Sequence, residues 1–255
     1  MKLLVAFLVV TLSLISLEAQ DEATGYEIAL ERIMEADETN AKELNLVGLG
    51  LTELPIEIGR LSNLERLYIG TNNLTQLPTE IINLMHLMIL NLNWNDFSEF
   101  PLVITELSNL TRLQIGYNSI RQLPVEIKNL ENLEELSLTS NNLESLPSSL
   151  SRLNNLCILD VGGNQLNSLP SELTQLTELE EQYCGLYTDG NPLSPIISDL
   201  MAEGGTTAVL QYLESRARWN LRRSVIAVVS LVGIVVILLL GLRKQIIRNH
   251  EHKVK

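Results

Sequence analysis

The chain has 255 residues, 45% apolar and only 4% aromatic, with 31 Asp/Glu against 18 Lys/Arg for a net charge of −13. So acidic a chain repels phosphate backbones, which makes nucleic acid a poor partner. Its three histidines, His86, His250 and His252, lack metal-ligand spacing, and no nucleophile elbow, phosphate-binding loop or kinase signature occurs, so neither metal, cofactor, small-molecule substrate nor catalysis is expected.

The first element is apolar. Residues 3–17, LLVAFLVVTLSLISL, follow Lys2, carry no charge and precede the small Ala19. The run is short for a membrane span and reads as a signal peptide over residues 1–19. Leu17 is large for its place in the cleavage site, so an uncleaved anchor is the alternative. Within residues 20–40, Thr24 and Glu27 have capping-box spacing, which predicts a helix over 24–37. Tyr26, Leu30 and Ile33 would share its buried face.

A strict frame follows. LSLTSNNLESLP (136–147) echoes LQIGYNSIRQLP and LNLNWNDFSEFP upstream. Prolines fall at Pro55, Pro78, Pro101, Pro124, Pro147 and Pro170, and asparagines at Asn72, Asn95, Asn118, Asn141 and Asn164, each series stepping by 23. A fixed period of this size signals a stacked array. The L-x-x-L-x-L segment alternates and predicts a short strand. The Asn turns the chain inward, where a buried amide needs partners. Pro fixes one dihedral, and the following I-x-x-L returns the chain as a short helical turn. No coil buries its leucines alone, but stacked coils share a core.

Residues 41–193 closely resemble the leucine-rich repeat family, in its 23-residue Ras-suppressor-like form with LP..I..L.NL joining about six or seven units. The resemblance implies an α/β solenoid, a horseshoe whose parallel β-sheet lines the concave face, with helical caps at both ends. It also implies protein binding rather than catalysis. The terminal units are atypical: Ala41 and Leu49 replace the first Leu and Asn, and Tyr187 stands where the last Asn should be. Asn191 comes four residues late, so about four extra residues lie within 180–185. Val209, Leu210 and Leu213 give a helix in 194–215 a stripe that seals the last coil.

Residues 224–242 run 19 residues without a charge, about 28 Å as a helix, which matches a bilayer core. They read as a single transmembrane helix after a juxtamembrane stretch, 216–223, and before a short basic tail, 243–255. Arginines and lysines flank it almost equally, so the positive-inside rule does not decide its orientation. The signal peptide does, sending the array out of the cytoplasm and leaving the tail inside. Residues 20–215 hold 8 Lys/Arg and 29 Asp/Glu, a net of −21, while the rest of the chain is net +8.

Cys157 lies near the start of the sixth strand and Cys184 in the insertion of the next coil, which leaves a disulfide or two free thiols as alternatives. Leucine-rich repeat proteins outside the cell often carry flanking cysteine clusters, and this chain has none. Asn73-Leu74-Thr75 and Asn109-Leu110-Thr111 are glycosylation sequons, though such triplets also arise by chance in Asn- and Thr-rich repeats.

Numbering each unit L1-x2-x3-L4-x5-L6-x7-x8-N9, the x3, x5, x7 and x8 side chains should face the concave side. Aromatics and arginines concentrate there in units two to four. Tyr68, Asn91, Trp94, Arg112, Gln114 and Tyr117 form the expected partner-binding patch, because Trp, Tyr and Arg dominate hot spots; ordinary exposed strand residues are the alternative. The leading expectation is a single-pass membrane protein whose extracytoplasmic array binds a protein or peptide, as a co-receptor or adhesion module. The short tail after residue 242 would leave signalling to a partner. A cytosolic scaffold on a C-terminal anchor is the second reading, and a purely structural spacer the third.

Overall fold

Seven times the chain lays down a three-residue strand around one leucine. These are β1 (Glu43–Asn45), β2 (Arg66–Tyr68), β3 (Ile89–Asn91), β4 (Arg112–Gln114), β5 (Glu135–Ser137), β6 (Ile158–Asp160) and β7 (Gly185–Tyr187). They pair in parallel, in chain order, as one sheet. Leu44, Leu67, Leu90, Leu113, Leu136, Leu159 and Leu186 lie directly opposite one another down its inner side. All are buried, so each strand shows one leucine to the core and two neighbours to the opposite face. The strands are shorter than the L-x-x-L-x-L segment predicts. The opening leucine still belongs to the preceding turn: the amides of Leu64, Leu87 and Leu110 bond the carbonyls of Leu61, Leu84 and Leu107.

The computed structural model describes residues 24–221. The expected signal peptide (1–19), transmembrane helix (224–242) and basic tail (243–255) lie outside the described residues. Among the described residues no helix is long and apolar enough to cross a membrane.

Each return path is a 3-10 helix. They span Ile56–Arg60, Thr79–Asn83, Leu102–Glu106, Val125–Asn129, Ser148–Arg152 and Ser171–Gln175, each entered through one of the periodic prolines. The proline carbonyl accepts from the amide three residues on, as Pro55 does from Ile58 at 3.1 Å. Five residues are enough for the tighter i→i+3 ladder. They turn one apolar side chain inward per coil: Ile58, Ile81, Ile104, Ile127, Leu150 or Leu173.

The periodic asparagines stitch the coils together. Asn72 donates to Leu46 O (2.9 Å) and Ile69 O (3.0 Å), while its own oxygen accepts from Leu51 N (3.0 Å). Asn95, Asn118, Asn141 and Asn164 repeat the pattern one coil on each time. Asn191 does so too, bonding Val161 O and Thr188 O and accepting from Leu166 N. The four-residue insertion is therefore taken up before the ladder resumes, and Ile158 pairs with Gly185 rather than with residue 181. Each amide satisfies three backbone groups that would otherwise be buried without partners.

Both ends are closed by helix. α1 (Gly25–Glu38) begins at Thr24 with a complete capping box to Glu27. Its buried face is Ala29, Ile33 and Ala36; Tyr26, expected inside, is 37% exposed. Small residues win because α1 lies close against the first coil, where Arg32 donates to Asn45 O at 3.0 Å. At the other end, residues 195–221 are helical, with Gly205 among them at a φ of +62°. Val209, Leu210 and Leu213 are buried there. The helix continues through residues expected to be a spacer (216–221).

Candidate functional site

On the face opposite the core, the x3 and x5 side chains flank each buried leucine, and x7 and x8 form the corner after it. The x8 backbone is left-handed in every unit: Gly48 (φ 73°), Thr71 (56°), Trp94 (60°), Tyr117 (54°), Ser140 (54°), Gly163 (63°) and Gly190 (74°). Glycine is at ease there, whereas a bulky side chain costs about 1 kcal/mol or more. Units three and four nevertheless carry the two largest side chains of the column. The Trp94 and Tyr117 rings stack, with centroids 3.9 Å apart and planes 5° from parallel, and remain 57% and 41% exposed. Strain retained at exposed aromatics is what binding sites accumulate.

The four other expected patch residues are differently placed. Asn91, Gln114 and Arg112 belong to a network within the sheet. Asn91 Nδ2 donates to Gln114 Oε1 (2.8 Å), Gln114 Nε2 to Glu135 Oε1 (2.9 Å) and Arg112 Nε to Glu135 Oε2 (2.6 Å). Asn91 Oδ1 also accepts from Asn93 N at 3.0 Å. Tyr68 is half-buried at the x5 position of β2. Arg66, one coil before Ile89, is bound to Glu43 at 2.7 Å. That hydrogen bond holds its guanidinium pKa above the ordinary arginine value. The arginines are thus not a free basic patch, as their column suggested: each is neutralised by a glutamate one coil away. The columns of a repeat show which residues are neighbours, but not which of them will spend their charge on each other.

Three features escaped the frame. The insertion brings Tyr187 onto the sheet face at β7, 48% exposed. Asp160 and Asp189, at x5 of β6 and x7 of the last coil, have no ion-pair partner among the described residues. A second polar ladder runs along the outside. Asn63 bonds Asn40, His86 Nδ1 lies 2.9 Å from Ser62 O, and Asn109, Asn132 and Asn155 donate to Met85 O, Ser108 O and Glu131 O. The step of 23 in that series was the available signal. Both sequon asparagines, Asn73 and Asn109, are exposed, and Asn109 is also a rung of this ladder.

Cys157 and Cys184 are joined as a disulfide, with Cα atoms 4.7 Å apart. They occupy the same x2 position of consecutive coils, since Ile158 pairs with Gly185, and strand spacing alone puts such positions within bonding reach. Among the described residues no group of His, Cys, Asp and Glu is arranged to hold a metal ion.

With this geometry in view, comparisons place the fold. A sequence model of the Leucine Rich Repeat matches residues 132–153. No curated protein matches the chain. The leucine-rich repeat domain of the type III effector XopL shares the fold at 24% identity and TM-score 0.58, over 68% of this chain and 62% of that one. The leucine-rich repeat ectodomain of the plant membrane receptor kinase GASSHO1/SCHENGEN3 from Arabidopsis thaliana was solved in complex with CASPARIAN STRIP INTEGRITY FACTOR 2. It is 30% identical at TM-score 0.52, over 60% of this chain and 19% of its own. The plant peptide hormone receptor RGFR1, in complex with RGF2, is 29% identical at TM-score 0.50, over 59% and 24%. This chain spans less than two thirds of the length of each of these neighbours. The matched unit at 132–153, the fold shared with the XopL domain and the single seven-stranded parallel sheet show that residues 43–187 have a leucine-rich repeat solenoid fold.

Proposed function

We propose that the chain is a non-enzymatic recognition module whose sheet face binds a protein or peptide through a patch centred on Trp94 and Tyr117, with Tyr68, Asn91, Arg112 and Gln114 around them. The observation that carries this reading is the stacked, exposed aromatic pair held on left-handed backbone. Aromatic rings with few rotatable bonds supply contact area at low entropic cost. The network around Glu135 holds the polar neighbours in place before a ligand arrives, and such preorganisation lowers the cost of binding. Two structural neighbours, a receptor-kinase ectodomain and a peptide hormone receptor, were solved in complexes, which supports a protein or peptide as the ligand class.

The same reading includes a membrane anchor at 224–242 and an extracytoplasmic array. It is supported by the uncharged runs at 3–17 and 224–242 and by the Cys157–Cys184 bond, since disulfides persist in oxidising compartments. A cytosolic scaffold on the same anchor is the second reading, favoured by the absence of flanking cysteine clusters. Protease protection of a tag placed after α1 in intact cells separates the two.

The binding test is proximity labelling in cells expressing the full-length chain or its Trp94→Ala/Tyr117→Ala variant. Proteins labelled by the first and lost with the second support the patch. An unchanged set rejects it.

A further inference from the structure

Trp94 and Tyr117 have each given one ring face to the other, so only the outer faces remain for a ligand. Because the two residues are one coil apart, the outer face of Tyr117 looks along the sheet toward β5, β6 and β7. What lies in that direction is low. The x8 column continues with Ser140, Gly163 and Gly190, and the x7 column with Thr139 and Gly162. In these two columns a flat group laid against Tyr117 meets no tall side chain, and on the sheet face the next ring is Tyr187 at β7.

The charge of that stretch is also uneven. On the sheet face Glu43 cancels Arg66, and Glu135 cancels Arg112. Asp160 and Asp189 have no such partner among the described residues. Gly162 sits between them. Its amide donates to Asp160 Oδ1 at 3.0 Å, and a Cβ on it would lie 3.3 Å from both Asp160 Oδ1 and Asp189 O. An aromatic face therefore opens onto a low shelf whose uncompensated charges are both negative, on a domain that is itself strongly acidic.

We propose that this shelf docks an extended basic peptide through an arginine, whose guanidinium lies on the outer face of Tyr117, while Asp160 and Asp189, two and three coils further on, meet the charges of neighbouring basic residues. This rests on the reading that the sheet face binds a peptide. Arginine is singled out over lysine because its planar, weakly hydrated head stacks on an aromatic face. The reach is suitable: β4 to β7 is three strand spacings, about 14 Å, or about four residues of extended chain. The surplus negative charge of the domain steers a cationic segment toward the face.

The test selects a displayed random-peptide library on the full-length chain. Enriched peptides are expected to carry arginine. Changing that arginine to lysine should weaken binding about tenfold, as should Asp160→Asn with Asp189→Asn, and affinity should fall as salt rises. Asparagine keeps the oxygen that accepts from Gly162 N, so that variant retains the corner, and an unchanged melting temperature verifies it. Peptides that depend on Trp94 and Tyr117 but lack arginine, or that ignore the aspartate variant, overturn the arginine proposal and leave the sheet-face reading standing. Peptides that ignore Trp94→Ala/Tyr117→Ala, or a library without enrichment, overturn both.

Discussion

Tyr117 and Gly163 occupy the same left-handed corner two coils apart, with φ of 54° and 63°. Only one of them carries a ring, and that ring is stacked on Trp94. Glycine at Tyr117 would relieve about 1 kcal/mol of backbone strain and lose about 0.5–1.5 kcal/mol of stacking.

Stability and binding should therefore separate at this corner. Tyr117→Gly is expected to melt within about 1 kcal/mol of the native chain, and Tyr117→Ala to be the less stable of the two, the reverse of the usual order. Both should lose the partner. Chemical denaturation followed by circular dichroism checks the order; an alanine variant more stable than the glycine one would remove strain from the account.

The two asparagine ladders should differ in weight. Asn141 is buried and serves Ile115 O, Leu138 O and Ile120 N, whereas Asn132 is exposed and donates to Ser108 O alone. Asn141→Ala is expected to cost about 3 kcal/mol, because it strands buried backbone groups, and Asn132→Ala less than about 1 kcal/mol. Equal losses in paired urea titrations would contradict the distinction.

Gly25 is fixed by contact, not by conformation. A Cβ there would lie 1.8 Å from the carbonyl oxygen of Leu49. Glycine to alanine in a helix normally stabilises, but Gly25→Ala should destabilise by about 1–3 kcal/mol through forced displacement of α1. Hydrogen exchange should localise the loss to α1 and the first coil.

The Cys157–Cys184 bond closes a loop with a sequence separation of 27. Its removal by Cys157→Ser with Cys184→Ser is expected to cost about 3–4 kcal/mol on the chain-entropy model. The loss should concentrate in β7 and the C-terminal helix, the end with the insertion. A native chain that melts identically with and without reductant would show that the bond is dispensable.

How much of this could be read beforehand follows from the repeat. Proline, asparagine and leucine recur in one register, so every local preference agrees with its neighbours. That determined the strands, the helical returns, the inner ladder and the side-by-side placement of Trp94 and Tyr117, whereas the four-residue insertion left the pairing of Cys157 with Cys184 to the fold. The cap on Thr24 was equally local. What the tertiary structure alone decided lies between coils, where residues more than 20 positions apart choose partners. Arg66 and Arg112 were exposed cations in the columns, but Glu43 and Glu135 claim them. Ala29 and Ala36 displaced Tyr26 from the interface of α1 because close packing favours small side chains. Periodicity dictates who stands beside whom, since it sets backbone position. Which neighbours pair, and which stay free for a ligand, depends on side-chain geometry in three dimensions.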